Sequence, residues 1–268
     1  MSANPICEPL HRQIPVYGAK SISCRGCTLD LHGRPVLGGR THTKLAQTAA
    51  AGDTELWLTE AVDWEVGAWI FVTSSAANGT MEEIDLVRIS EVTDNGHRLV
   101  LDVELEYDHL GETRSLGLGY TVDFRCNVAL LSRNVVVQGG GLAQLDRHGV
   151  HIMLHSRGDA SIVDRSKGES LTARIENIEV RFAGQMGRLG RYPIHFHMIG
   201  AVRNSYVRFN SIHHTYNRAI AIHGVHYLRV QNNGKGFLTF FDASLWNLAS
   251  LSAHSHPCVV ISHDCSGL

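Results

Sequence analysis

The sequence predicts an all-β protein, a small β domain packed on a parallel β-helix, and three observations carry that expectation. Helix signatures are scarce, while short runs rich in Val, Ile, Leu and Thr recur between Gly, Asn and Asp punctuation. From about Arg133 onward the chain resembles itself at intervals of roughly 20 to 30 residues. The composition fits a globular chain rather than a disordered one: 268 residues, 44% apolar, 19% charged, 26 Gly and only 6 Pro.

In chain order, the β runs of the first half are Glu55–Leu58, Trp69–Thr73, Ile84–Ile89, Leu99–Val103, Val128–Leu131 and Asn134–Gln138. Turns at Ala51-Gly52-Asp53 and Gly67 separate the earliest of them. The repeat then runs through RNVVVQGG (133–140), RIENIEVRFAG (174–184), VRNSYVRFNSI (202–212) and VHYLRVQNN (225–233), closing on Val137, Val180, Val207 and Val230. Short β runs with Asn or Gly at the corners are how a parallel β-helix is written, since each coil buries its inward face only against its neighbours. On this pattern Val180, Val207 and Val230 are expected at equivalent inward positions of successive coils. A second echo, GRYPIHFHMIG (190–200) and NRAIAIHGVH (217–226), places Arg191 and Arg218 before alternating apolar runs whose histidines are expected to point outward. An antiparallel sandwich competes with this fold. The segment from Gly234 breaks in composition, with Lys235, Asp242 and Asp264 its only charged residues, and shows no further coil.

Charge and hydropathy exclude some classes of partner. With 24 Lys+Arg against 26 Asp+Glu the net charge is −2, so no basic surplus recommends nucleic acid. The longest weakly polar stretch, Phe237 to Leu251, is interrupted by Asp242 and falls short of the roughly 18 to 20 apolar residues that span a bilayer. The N-terminal MSANPICEPLHR lacks a basic region followed by an apolar core and does not read as a signal peptide. Six cysteines stand at 7, 24, 27, 126, 258 and 265. Cys24 and Cys27 form a lone close pair without a second pair at zinc spacing, so redox or metal use, buried thiols and scattered disulfides all stay open.

Nine histidines lie between 148 and 226. His195 and His197 share one face of a strand, a spacing suited to two ligands of one divalent cation, and adjacent coils bring His213, His214 or His223 into consideration as further ligands or acid–base groups. Asp146 or Asp159 could add an oxygen ligand. The bland alternative is a stack of hydrogen-bonded histidines. Arg188, Arg191, Arg203, Arg208 and Arg218 are candidates to line a groove and pair with uronate carboxylates, or else are solvated outward positions. No carboxylate pair stands inside PIHFH or SIHHTYNRAIAIHG, so a glycosidase acid and nucleophile cannot be assigned there. Trp57, Trp64 and Trp69 could serve as sugar platforms or as core, and Asn78-Gly79-Thr80 is a glycosylation sequon.

Several of these segments resemble a known family. LDLHGRPV (29–36), RTHTKLAQTAAAGDTELWLTEAVDWEVGAWIFVTSS (40–75) and LEYDHLG (105–111) are similar to the G-eight domain. LLSRNVVVQG and FAGQMGRLGRYPIHFHMIGAVRNSYVRFNSIHHTYNRAIAIHGVHYLRVQNN resemble the parallel β-helix that follows it in fibrocystin-like proteins and in related cell-surface and secreted hyaluronidases. The resemblance covers about residues 13 to 233. It implies a terminal segment (1–12), a G-eight-type domain (13–130), right-handed β-helix coils (131–233) and a divergent tail (234–268), with the solenoid truncated. It further implies an extracellular or cell-surface module that binds a glycan or protein ligand or serves adhesion. The alternative is a hyaluronan-depolymerising glycosidase, or a degenerate relative, using the histidine-rich face. The expected partners are an anionic polysaccharide such as hyaluronan or a cell-surface protein, with a divalent cation as the one cofactor entertained.

Overall fold

The computed structural model describes residues 17–18, 20–75, 83–156 and 171–238. The chain opens with β1 (Ser21–Arg25) and β2 (Thr28–His32). An antiparallel region follows: β3 (His42–Lys44), β4 (Glu55–Trp57), β5 (Trp69–Val72), β6 (Asp85–Thr93), β7 (Arg98–Leu101), β8 (Thr113–Gly117), β9 (Tyr120–Asp123) and β10 (Asn127–Leu130). Then come β11 (Val136–Gln138), β12 (His151–His155), β13 (Thr172–Glu176) and β14 (Glu179–Arg181). The last six strands are β15 (Ile194–Ala201), β16 (Tyr206–Arg208), β17 (Ser211–Thr215), β18 (Ile220–His226), β19 (Arg229–Gln231) and β20 (Gly234–Leu238).

Twelve of these strands form three parallel four-stranded sheets, and the chain visits the sheets in a fixed order. The first sheet runs β1-β12-β15-β18, the second β2-β13-β16-β19 and the third β11-β14-β17-β20. All three contribute to one apolar core that contains Ile152, Leu154 and Phe196 of the first, Ile175 and Val207 of the second, and Val180 and Ile212 of the third. The registers make ladders: Ile22, Ile152, Ile194 and Ile220 stand opposite one another, as do Leu31, Ile175, Val207 and Val230. Full burial of a side chain such as Phe196, at 0% exposure, is worth about 1.5 to 3 kcal/mol.

Corners between the second and third sheets are written in asparagine. Asn177, Phe209 and Asn232 adopt positive φ there. Beside them, Asn210 Nδ2 donates to Ile175 O at 3.0 Å while its Oδ1 accepts from the Ile178 N–H at 3.0 Å. Asn233 repeats the arrangement one coil on, donating to Val207 O and accepting from Asn210 N and Nδ2. The buried amides thereby satisfy backbone groups that the turn leaves unpaired.

Three sequence expectations are corrected here. Val207 and Val230 share a ladder, but Val180 belongs to the third sheet, paired with Val137 and Ile212. Each coil carries two short apolar runs on either side of the asparagine corner, and the repeat as read from sequence matched one run to the other. Second, residues 21–32 pair in parallel with β12 and β13 and so lie with the repeat sheets. The antiparallel region is inserted between β2 and β11. Third, β20 pairs in parallel with β17, so strand structure continues past Gly234; the rest of the tail, with Phe240, Phe241 and Trp246, lies outside the described residues.

The inserted region is a six-stranded sheet, β3-β10-β5-β6-β7-β4, with the hairpin β8-β9 beside it. Leu45, Leu56, Ile70, Ile89, Leu99 and Val128 fill its core. Trp64 is buried, with its indole N–H donating to Arg40 O at 2.9 Å, whereas Trp69 is 36% exposed under the Arg88 guanidinium. Two features lock the insert to the repeat sheets. Gly33 passes so close to the second corner that a Cβ there would lie 1.8 Å from Asn177 O. The buried Arg133 guanidinium donates to Leu130 O, Ser132 O and Phe209 O, and burial pulls it down to about 10. Cys24 and Cys27 form a disulfide across the β1–β2 corner, and Cys126 is a free, buried thiol. Among the described residues no helix is long and apolar enough to cross a membrane.

Candidate functional site

Alternation along the first sheet sends Ile152, Leu154, Ile194 and Phe196 inward, and His151, His155, His195 and His197 to the opposite side. The outward direction matches the expectation, but the environment does not. His151, His155 and His195 are buried, at 0%, 8% and 4% exposure, where Tyr17 packs on His151 and His155 and Gly190 on His195. His195 Nδ1 donates to Gly190 O at 3.0 Å, and His151 Nε2 bonds Tyr17 O at 2.8 Å.

Register makes His155, His197 and His223 a ladder. Their ring centroids are 5.3 and 5.1 Å apart, and the Nδ1 atoms of His197 and His223 approach to 3.3 Å. Burial, reinforced by neighbouring imidazoles, lowers both His195 and His197 to about 4. These rings are therefore neutral at physiological pH. Arg191 reaches the same face, with Nη1 3.8 Å from Met153 Sδ, and its own burial lowers it.

His213 and His214 stand elsewhere, on the third sheet. His213 Nε2 meets the buried Glu179 Oε1 at 3.2 Å, and its Nδ1 lies 2.7 Å from His214 Nδ1. Burial favours a raised Glu179 pKa, yet the His213 hydrogen bond and charge, the Arg133 N–H and Arg181 together hold it below the usual carboxylate range. His214 is lowered to about 4 by burial and then by His213. Of the histidines considered beside His195 and His197, His223 shares their sheet, whereas His213 and His214 do not. Among the described residues no three His, Cys, Asp or Glu side chains are arranged to hold a metal ion. Asp146 pairs with Lys20 at 3.2 Å; Asp159 and Asn78 lie outside the described residues.

The five candidate arginines divide between two places. Arg188 and Arg191 precede β15, and Arg218 precedes β18, so all three lie at corners leading into the first sheet. Arg203 and Arg208 belong to the second sheet and its approach, where sequence reasoning missed their companions. The outer face of that sheet aligns Asp30, Arg174, Tyr206 and Arg229 in one row and His32, Glu176, Arg208 and Gln231 in the next. Arg174 pairs with Asp30 at 3.2 Å and Arg208 with Glu176 at 2.9 Å. The Arg208 guanidinium lies 4.2 Å above the Tyr206 ring, and Arg203 lies 3.5 Å from the centre of the exposed Tyr227 ring. Four arginines against two carboxylates leave this face positive. The available signal was the alternation of Tyr206, Arg208 and Arg229 with the inward Val207 and Val230.

Residues 148–237 match the family described as CEMIP beta-helix. The chain is 35% identical over 254 residues to fibrocystin-L of Mus musculus and of Homo sapiens, which covers 82% of this chain and 6% of each fibrocystin-L. A G8 domain-containing protein of Dictyostelium discoideum is 29% identical over 219 residues, covering 81% of this chain and 17% of that protein. The chain therefore spans a small part of the length of these relatives. The tailspike of Acinetobacter baumannii bacteriophage AP22, solved with a capsular saccharide, superposes with a TM-score of 0.28 at 9% identity over 76% of this chain and 45% of its own, an overlap too slight to bear on function.

Proposed function

The chain belongs to the fibrocystin-L-like family, in which a G8 domain accompanies a CEMIP-type β-helix, and from that premise we propose that it is an extracellular glycan-binding module. In this proposal the three parallel sheets close into a right-handed solenoid and its second face receives an anionic polysaccharide with uronate carboxylates. The observation that carries it is the in-register Arg174, Tyr206, Arg208 and Arg229 surface, flanked by the Arg203–Tyr227 stack. Guanidinium groups pair bidentately with carboxylates, and tyrosine rings accept the apolar faces of sugars. Parallel rungs about 4.8 Å apart repeat these groups along the stacking direction, as an extended polymer requires.

Catalysis is the second reading, and one observation favours it: Glu179 orients His213, which contacts His214, a relay able to pass a proton. Among the described residues, the face with neutral, covered histidines supplies no such carboxylate-linked chain. Incubation of the intact chain with hyaluronan, with and without a chelator, tests both. Retarded mobility of the polymer without shortening, several-fold weakened by Arg229→Ala or Tyr206→Ala, is the expected result. Loss of polymer length that His213→Gln abolishes would replace the binding reading by the enzymatic one, and absence of binding would end it.

A further inference from the structure

The hairpin β8-β9 of the inserted region sorts its residues along its length. Its base carries Glu112, Arg114, Asp123 and Arg125, and its far end is Leu116-Gly117-Leu118-Gly119-Tyr120. At the base the charges are tied to one another. Arg114 Nε donates to Glu112 Oε1 at 2.7 Å, Arg125 Nε to Asp123 Oδ1 at 2.8 Å, and Lys44 Nζ of β3 to Asp123 Oδ2 at 2.6 Å. Three cations against two carboxylates leave that base with one surplus positive charge. At the far end Gly117 pairs with Tyr120, and Leu118 and Gly119 between them have φ of 50° and 80°, the left-handed values of a type I′ turn. Asparagine, aspartate or glycine suits the first of these two positions, whereas leucine adopts a sterically disfavoured backbone there. No packing among the described residues offsets that cost. Leu118 is 98% exposed, Leu116 and Tyr120 are exposed with it, and a Cβ added at Gly117 or Gly119 would meet no described atom within 4 Å beyond its chain neighbours. The tip therefore stands clear of the protein.

We propose that this tip dips into the surface of a phospholipid bilayer. Docking against a protein, or pairing with a second copy of the hairpin, calls for a continuous apolar side, with apolar residues at every second position. The register gives no such side: Thr113, Ser115, Thr121 and Asp123 stand opposite one another, and Val122 stands opposite Arg114. The apolar groups gather at the end instead. A bilayer surface calls for that axial order, with aliphatic side chains towards the acyl chains, a tyrosine at the headgroups and cations level with the phosphates. Leu118 and Leu116 supply the first, Tyr120 the second, and the net positive base of Lys44, Arg114 and Arg125 the third. Two leucines and one tyrosine make a shallow, reversible contact rather than an anchor. The proposal uses no residue of the second sheet and stands whether or not that sheet binds a glycan.

Co-sedimentation of the intact chain with vesicles of phosphatidylcholine and phosphatidylserine, free of glycolipid, tests it. The chain is expected to sediment with the vesicles. Leu118→Asp, which suits the turn, should weaken binding by roughly tenfold or more and Leu116→Ser by less, while Leu189→Ser and Arg229→Ala leave it unchanged. Leu118→Gly should also weaken binding but leave the melting temperature unchanged or higher, as expected of a leucine that folding does not require. The indole of a Leu118→Trp protein should shift its emission to the blue on vesicles and be quenched by brominated lipid. The proposal is overturned if the chain does not sediment, if folded Leu118→Asp sediments unchanged, if the Leu118→Trp indole stays in water, or if Arg229→Ala rather than Leu118→Asp removes binding. Self-association that Leu118→Asp abolishes, without vesicle binding, would assign the tip to a second copy of the chain instead.

Discussion

Two buried histidine environments in this molecule have opposite electrostatic character. In the inserted sheet, His109 is fully buried with an oxygen acceptor at each ring nitrogen: Nδ1 donates to Thr73 O at 2.9 Å and Nε2 to Asp85 Oδ2 at 2.8 Å. Desolvation alone lowers its pKa, but hydrogen bonds to Cys126, Asp85 and the Thr73 carbonyl outweigh it and raise the value. On the outward side of the first parallel sheet, His195 and His197 face a backbone carbonyl and other imidazoles, and both fall to about 4. Burial is common to the two sites. What differs is the set of partners: Cys126, Asp85 and the Thr73 carbonyl raise the one imidazole, while neighbouring imidazoles add to the lowering of the others.

The largest expected effect comes from breaking the charged arrangement. Asp85 also accepts the N–H groups of Glu106 and Tyr107, so Asp85→Ala strands the imidazolium and two backbone donors together. A loss of about 3 to 5 kcal/mol is expected in denaturant unfolding. Double replacement His109→Leu with Asp85→Leu should recover part of that loss, which would separate the cost of an orphaned charge from the value of the pair.

Acid should act on the two regions in opposite senses. Histidines with folded pKa values below the unfolded value bind fewer protons when folded, so their stability contribution is lost as pH falls from about 6.5 towards about 4. For the well-buried His195 the slope is on the order of 1 kcal/mol per pH unit. His109, with a raised folded value, contributes stability that is present below about 6.5 and is lost as pH rises through its folded pKa. Amide exchange resolved by strand should show β15 and β18 loosening first in acid while β6 and β10 stay protected. Parallel loosening of all four would remove the distinction.

The smallest effect sharpens the neutral half. His197→Phe keeps a stacked ring between His155 and His223 and removes one titrating group. Stability at neutral pH should stay within about 1 kcal/mol of the parent, the worth of the lost contact to His223, while the acid-induced slope becomes shallower. An unchanged slope would assign the acid sensitivity to other groups.

Much of this was legible in local pattern. Period-2 alternation placed His195 and His197 on one side of a strand and Ile194 and Phe196 on the other, and the asparagines at 210 and 233 marked corners. Apolar alternation also identified Val180, Val207 and Val230 as inward residues, since burial of a side chain leaves its trace in residue type. What alternation does not encode is the partner. That Ile22 pairs with Ile152, that a whole antiparallel sheet enters between β2 and β11, and that Val180 joins Ile212 rather than Val207 depend on closing long loops around a shared core. Nor does it encode the cover over an outward side chain. His213 received Glu179, and His195 received Gly190 O and burial, because solvent exclusion and charge pairing arise only when distant segments meet. The sequence by itself determined which side of each strand is apolar; the tertiary structure decided which polar groups opposite it lose their water, and with that their charge.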